Sequence, residues 1–244
     1  MRYAIFSDIH SNLEAYQAVL ENMSYERIDR YICLGDIVGY GANPKECINL
    51  TRELIEKKGC LCVAGNHDSA VAEITPISSF NSFARLAVVW TRKNIDPAEN
   101  NFLSLLPILK NEDGLVFVHA SLTSPQEWRY IYTLDEAYNN FEILREKICF
   151  IGHSHIPVVF KAGKHFEYFM LSSFKIEDDC RYIVNVGSIG QPRDRDPRAC
   201  FIIYDTDKNL LEYKRVDYDI ARAQAKIIQA GLPQILAARL EVGE

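Results

Sequence analysis

Five short apolar runs in the first 152 residues each end in acidic, amide or imidazole side chains, and this regularity constrains the fold more than any other feature of the chain. Tyr3 to Phe6 leads into Ser7-Asp8-Ile9-His10, and Tyr31 to Leu34 leads into Gly35-Asp36. Cys60 to Ala64 leads into Gly65-Asn66-His67-Asp68, Leu115 to Val118 into His119, and Ile148 to Ile151 into Gly152-His153-Ser154-His155. Continuous apolar runs of this kind read as strands covered on both faces. Between them lie helical patterns. Ser11-Asn12 opens one whose apolar positions are Leu13, Tyr16, Val19, Leu20 and Met23. Asn43-Pro44 opens the next, through Ile55, with proline at the first helical position, where its missing N–H costs least. Strand and helix in alternation predict parallel βαβ units.

Phe80 to Ile95, Pro97 to Leu106 and Leu134 to Lys147 read as further helices. After residue 152 the pattern changes. Val158 to Lys161 and Phe166 to Leu171, joined through Gly163-Lys164, predict an antiparallel hairpin. Tyr182 to Val186, Cys200 to Tyr204 and Leu210 to Val216 are strand candidates, the last two joined by Asp205-Thr206-Asp207-Lys208-Asn209. Residues 219–241 read as helix interrupted at Gly231-Leu232-Pro233, with packing on the parent domain expected over an oligomer contact. No repeat or Pro/Gly/Ser linker divides the chain, so one domain over residues 1–244 is expected. Its natural closure is an α/β (α+β) fold, two mixed sheets packed face to face with helices outside.

The net charge of −6, from 27 Lys and Arg against 33 Asp and Glu, argues against a surface that grips nucleic acid, which needs a basic footprint. The opening apolar run is too short for a signal-peptide core or a membrane span. Seven cysteines sit mostly inside apolar runs, without a C-x-x-C pair, as reduced core residues of a cytoplasmic protein would. Cys60 and Cys62 flank Leu61 and are expected on one face of a strand.

The chain has six histidines, and five of them, His10, His67, His119, His153 and His155, fall at the strand ends. In open α/β sheets such ends converge on a crevice that binds ligands. His, Asp and Asn together are donors suited to divalent ions such as Mn, Fe and Zn. Asp-x-His and His-x-His bring two donors within reach of one ion when the backbone turns sharply. Each piece alone is weak; the ordered set carries the signal.

Taken together, Asp8-Ile9-His10, Gly35-Asp36, Gly65-Asn66-His67-Asp68, His119 and Gly152-His153-Ser154-His155 resemble the calcineurin-like metallophosphoesterase superfamily, whose pattern runs D-x-H, G-D, G-N-H-[DE], H and G-H-x-H. Asn185-Val186-Gly187-Ser188-Ile189-Gly190-Gln191-Pro192-Arg193 resembles its small bacterial and archaeal branch, which includes proteins named after diadenosine tetraphosphatase. The resemblance implies a four-layer αββα sandwich and two divalent metal ions, with Mn the first expectation and Fe, Zn, Ni, Co or Mg also compatible. It implies one ion held by Asp8, His10, Asp36 and His155, a second by Asp36, Asn66, His119 and His153, and a bridging role for Asp36. His67 would then act on the phosphate, protonating the leaving oxygen or stabilising the transition state, with Asn66 beside it. Such chemistry is physically apt, because two ions can clamp the attacking and leaving oxygens of an in-line displacement.

The protein Ser/Thr phosphatases of this superfamily read G-D-x-x-D-R-G at the second block. Here Gly39 replaces the Asp that orients the catalytic His, and Tyr40 replaces the phosphate-binding Arg, which disfavours a protein-phosphatase role. Arg193 and Arg195 are the candidates to supply substrate contacts instead. The expected partner is a small phosphodiester or nucleotide-type phosphate ester, with no membrane and no stable nucleic-acid complex. A nuclease acting on short or single-stranded nucleic acid, and a non-catalytic metal-binding scaffold of the same fold, are the alternatives.

Overall fold

The computed structural model describes residues 1–244. In chain order the first half holds β1 (Arg2–Phe6), α1 (Leu13–Ser24), β2 (Arg30–Cys33), α2 (Pro44–Lys58), β3 (Leu61–Cys62), α3 (Asn66–Val71), α4 (Ser82–Asn94), α5 (Pro97–Ser104), β4 (Leu109–Glu112) and β5 (Leu115–Val118). The second half holds α6 (Leu134–Phe141), β6 (Ile148–Ile151), β7 (Val158–Ala162), β8 (Phe166–Phe169), β9 (Ser173–Lys175), β10 (Arg181–Asn185), β11 (Ala199–Asp205), β12 (Leu210–Val216), α7 (Ile220–Gln229) and α8 (Gln234–Val242).

The strands form two six-stranded mixed sheets, ordered β3-β2-β1-β11-β12-β9 and β4-β5-β6-β10-β7-β8. β1, β2 and β3 run parallel, as do β5, β6 and β10. The remaining neighbours pair antiparallel.

Side-chain alternation generates the layers. Tyr3 and Ile5 of β1 face inward with Ile32, Ile202 and Tyr204, and meet Leu115, Phe117, Phe150, Tyr182 and Val184 of the other sheet. Ala4 and Phe6 face outward onto Tyr16, Val19 and Ile48 of α1 and α2. On the second sheet Val116, Val118, Cys149 and Ile183 face outward onto Ala137 and Phe141 of α6. Each fully buried Phe or Ile contributes about 1.5–3 kcal/mol, so register in both sheets is tightly specified. The result is helix, sheet, sheet, helix, the αββα sandwich expected from the order of elements. Cys60 and Cys62 share one side of the first sheet, and all seven cysteines are free and buried.

The C-terminal helices pack on the body of the chain. Ala223, Ile227, Leu236 and Leu240 meet Ala84 and Ala87 of α4 and the ring of Tyr40. Trp90 Nε1 donates to the Ala230 carbonyl at 3.1 Å, and Lys226 pairs with Glu14 of α1 at 2.5 Å. No helix is long and apolar enough to cross a membrane.

Some boundaries depart from expectation for visible reasons. The helix expected from Leu134 to Lys147 ends at Phe141, because the Arg181 guanidinium takes the carbonyls of Phe141 and Leu144 at 2.8 and 2.5 Å. β4 was not expected; it pairs with β5 across Asp113 and Gly114, which take φ of 52° and 74°. That Asp-Gly pair is a hairpin signal in its own right. The short β9 leaves the hairpin of the second sheet and adds an edge strand to the first. The segment after β3 opens α3, whose six residues are all buried.

Candidate metal centre

Asp8 and His10 follow β1, Asp36 follows β2, Asn66 and His67 open α3 after β3, His119 follows β5, and His153 and His155 follow β6. All are at most 7% exposed. Five of them, Asp8, His10, Asp36, His153 and His155, take φ between 50° and 67°. Left-handed backbone at a non-glycine residue costs about 1–2 kcal/mol, and its concentration here marks a site whose geometry the surrounding fold enforces.

The carboxylates are oriented by backbone donors. The His153 N–H donates to Asp8 Oδ2 at 3.0 Å, leaving Asp8 Oδ1 buried without a hydrogen-bond partner and 3.2 Å from His155 Nε2. The His67 N–H donates to Asp36 Oδ1 at 2.8 Å. Asp36 Oδ2 then lies 3.5 Å from His10 Nε2 and 3.4 Å from His119 Nε2, between the two halves of the site. His119 Nε2 is also 3.2 Å from Asn66 Oδ1.

Backbone carbonyls only accept, so they fix the imidazole tautomers. His10 Nδ1 faces the Val38 carbonyl at 3.2 Å, His119 Nδ1 that of Leu34 at 2.8 Å, and His155 Nδ1 that of Gln191 at 2.6 Å. Each Nδ1 therefore carries the proton and each Nε2 points inward. His153 is reversed: its Nε2 donates to the Trp128 carbonyl at 2.8 Å, turning Nδ1 inward. In neutral His10 and His155 the two Nε2 lone pairs face each other at 3.0 Å. Facing lone pairs beside an unpartnered carboxylate oxygen suit a cation, so the donor set fits a metal ion. Three groups have ligand atoms mutually within 4.8 Å: Asp8, His10 and His155; Asp36, His119 and His153; and His10, Asp36 and His67.

The electrostatics agree. Burial raises the Asp8 and Asp36 pKa values, yet the surrounding imidazoles outweigh it and hold both carboxyls well below the usual range. Burial lowers His119, but Asp36 and Asp8 outweigh it and push the ring up to about 10, so positive charge is favoured at that position. Burial and the charge on His119 depress His153 to about 3; burial and Arg193 depress His155 to about 4, keeping both imidazoles neutral.

His67 is held in an unexpected way. Its Nδ1 is buried and has no partner, and the ring lies among Tyr40 at 4.6 Å, His10 at 4.9 Å and Phe80 at 5.1 Å. Gly39 makes this possible. Its φ is +114°, and a Cβ there would stand 2.5 Å from His67 Nδ1 and 2.9 Å from His10 Nδ1. Neither an aspartate nor an alanine fits at 39 without displacing one of the rings. Gly39→Ala is expected to destabilise the fold by about 1–2 kcal/mol from the backbone alone, and to shift the denaturation midpoint accordingly. An unchanged midpoint would contradict this account of the position.

The site opens into a cleft of about 360 Å³ lined by Asp36, Asn66, His67, His153, His155 and Arg193 among others. The Arg193 guanidinium lies 5.6 Å over the Tyr40 ring, and its Nη2 donates to Gln191 Oε1 at 2.7 Å. Arg195 is not in the cleft wall; its side chain is 86% exposed and its Nε is 4.0 Å from Glu244.

Several supporting groups lie within the sequence blocks already singled out, without a pattern that states what each one holds. Asn185 Nδ2 donates to the Gly152 carbonyl at 2.6 Å and to Ser154 Oγ at 2.9 Å, fixing the turn that carries His153 and His155. Ser188 Oγ donates to the Asp8 carbonyl at 2.9 Å. Asp68 accepts from the Gly65 and Val38 N–H groups at 3.0 and 3.2 Å, tying α3 to the loop that bears Gly39. Trp128 and Tyr130 bear on His153 from an irregular loop whose composition announces nothing.

The sequence model of the calcineurin-like phosphoesterase superfamily domain matches residues 1–209. The chain is 40% identical over 248 residues to the uncharacterized protein MJ0912 of Methanocaldococcus jannaschii, covering 98% of this chain and 97% of that one. It superposes on a metallophosphoesterase from Sphaerobacter thermophilus with a TM-score of 0.86 at 36% identity, over 100% of this chain and 99% of the other. Hypothetical protein PH1004 from Pyrococcus horikoshii OT3 shares the fold, with a TM-score of 0.83 at 19% identity over 100% and 98% of the two chains. A match over most of the length, in sequence and in structure, places this chain in the calcineurin-like phosphoesterase superfamily.

Proposed function

We propose that this chain is a dinuclear metal-dependent hydrolase of a small phosphodiester or nucleotide-type phosphate ester, acting in the cytoplasm as one domain over residues 1–244. The observation that carries this reading is the position of Asp36 Oδ2, within 3.5 Å of inward-facing imidazole nitrogens from both halves of the site. Asp8, His10, Asp36 and His155 would hold one ion, and Asp36, Asn66, His119 and His153 the other. When bound, the ions supply Lewis-acid stabilisation of the phosphoryl oxygens and activate water for attack. The cytoplasmic placement is supported by seven unpaired cysteines.

The chain's own residues supply the rest. Asp36 fixes the α3 N-terminus through the His67 N–H, so the bridge and the acid–base candidate are set by one carboxylate. His67, wedged between Tyr40 and Phe80, borders the cleft from which the ester would approach. Burial holds its imidazole well below the usual pKa, so in the free site it is neutral and would donate an N–H hydrogen bond to the phosphate. Passing a proton to the leaving oxygen would require the substrate's negative charge to raise that pKa, so that the ring is protonated first. Arg193 would hold a non-bridging phosphate oxygen and takes the place of the Arg that Tyr40 replaces. Arg195, in solvent, is left without such a role.

Arg193→Ala is expected to lower kcat/KM about 10- to 100-fold, the range for losing a hydrogen bond to a charged group, without changing metal content. A loss of metal with the arginine would contradict its assignment to substrate. The reading as a whole is tested by hydrolysis of an aryl phosphodiester and the matching monoester. The protein is stripped of metal and reloaded in turn with Mn, Ni, Co, Zn and Mg. Cleavage that depends on metal and disappears on chelation supports it; cleavage unaffected by chelation overturns it.

A further inference from the structure

Three rings form a column leading out of the site. Tyr130 stacks on His153 with centroids 4.0 Å apart and planes inclined by 15°. Tyr132 continues the stack on Tyr130 at 5.0 Å, again at 15°. These tyrosines are 41% and 51% exposed. They are held there by a built loop. Trp128 and Ile131 are buried on either side of Tyr130, Trp128 Nε1 donates to Thr75 Oγ1 at 3.2 Å, and the Tyr132 N–H donates to Glu136 Oε2 at 2.8 Å. Exposed rings fixed in parallel, with one end on a metal-ligand candidate, offer a further stacking surface at the other end.

A second cavity of about 450 Å³ lies beside the column, and Tyr130 lines both it and the cleft over the metal centre. Its wall carries Tyr132, Thr123, Asn139 and Arg129. Thr123 Oγ1 is buried without a hydrogen-bond partner. The Glu136 carboxylate is engaged through Oε2 by the N–H groups of Tyr132 and Thr133, and Arg129 Nε is engaged by Glu127 at 2.7 Å. What the wall offers a ligand is an aromatic face flanked by a hydroxyl, an exposed amide and the outer atoms of Glu136 and Arg129, a set that recognises a planar heterocycle by stacking and edge hydrogen bonds.

Building on the phosphoesterase reading above, we propose that the substrate's non-reacting group is a planar nucleobase-like ring, which stacks against Tyr132 and enters this second cavity while the phosphate sits over the metal centre. Tyr132 is thus a specificity-determining residue, and the ester is a nucleoside phosphate rather than a simple alkyl one.

The test has a binding arm and a turnover arm, both on the full chain loaded with Mn. In the first, calorimetry compares thymidine 5′-monophosphate with methyl phosphate on the wild type, Tyr132→Ala and Tyr132→Phe. The wild type should bind the nucleotide at least about tenfold more tightly, the scale of one base stacked on one aromatic ring. Tyr132→Ala should bring the two ligands within about twofold, and Tyr132→Phe, which keeps the ring, should restore the preference. Equal binding of both ligands by the wild type, or a preference that survives in Tyr132→Ala, overturns the subsite. In the second arm, p-nitrophenol release is followed from the p-nitrophenyl esters of thymidine 5′-monophosphate and of methyl phosphate. The thymidine ester should be favoured through KM, and Tyr132→Ala should lower that ratio about tenfold. A Tyr132-dependent binding preference without cleavage of either ester upholds the subsite and sinks the phosphoesterase reading. Equal cleavage of both esters without a binding preference does the reverse.

Discussion

Asp36→Asn is expected to lower turnover by at least about 10³-fold and to weaken binding of both metal ions. The substitution keeps an oxygen able to accept the His67 N–H, now 2.8 Å from Asp36 Oδ1, so α3 keeps its anchor. What changes is the other atom. Asp36 Oδ2 is within 3.5 Å of both His10 Nε2 and His119 Nε2, and an amide NH₂ there is a donor without charge where both ions need an anionic acceptor. Losing about 4 kcal/mol of electrostatic stabilisation corresponds to the stated drop in rate. Plasma emission measures the metal and initial rates measure kcat on the same preparation. Near-normal activity in this variant would refute the proposed site.

His67→Ala should behave differently. Both ions should be retained, because the remaining ligand groups are untouched, while kcat falls about 10²- to 10⁴-fold, the range for one acid–base group. The size of the fall should depend on the leaving group. If His67 delivers a proton to the leaving oxygen, p-nitrophenolate, which leaves readily as an anion, should suffer less than an alkoxide. A uniform loss across leaving groups would assign His67 to charge stabilisation instead, and an unchanged kcat would remove it from the mechanism. The arrangement makes this variant informative: no carboxylate orients the ring, which is held by Tyr40, Phe80 and the backbone of α3, so its loss leaves no buried charge behind.

The parts of this molecule that were legible in the sequence are those written in period and punctuation. β1, β2, β5 and β6 are continuous apolar runs, and the strand-end rule alone brings Asp8, Asp36, His119 and His153 toward one crevice. The layer order followed from the order of elements, strand and helix in alternation first and antiparallel strands after. The strands that escaped, β4 and β9, are short and largely polar, because each lies at a sheet edge and buries little. The true end of α6 depends on Arg181, a residue 40 positions from Phe141, which no local window contains. The same holds at the site. The donor residues announce themselves by type, but the reversed tautomer of His153 depends on a carbonyl at Trp128, and the support of His67 on the absence of a side chain at Gly39. Nor does any pattern between residues 124 and 132 foretell the ring column, since loop geometry is set by anchors distant in sequence. Arg193 and Arg195 illustrate the limit: two arginines two residues apart read alike, and only the fold separates the one in the cleft from the one in solvent.

The most direct test of the dinuclear account is to titrate stripped protein with Mn and to measure, on each sample, ions bound per chain and the rate of aryl phosphodiester hydrolysis. The account predicts two ions per chain, with turnover rising only as the second site fills and vanishing on chelation. Full activity at one ion per chain, or two ions bound with no hydrolysis of any phosphate ester, would contradict it.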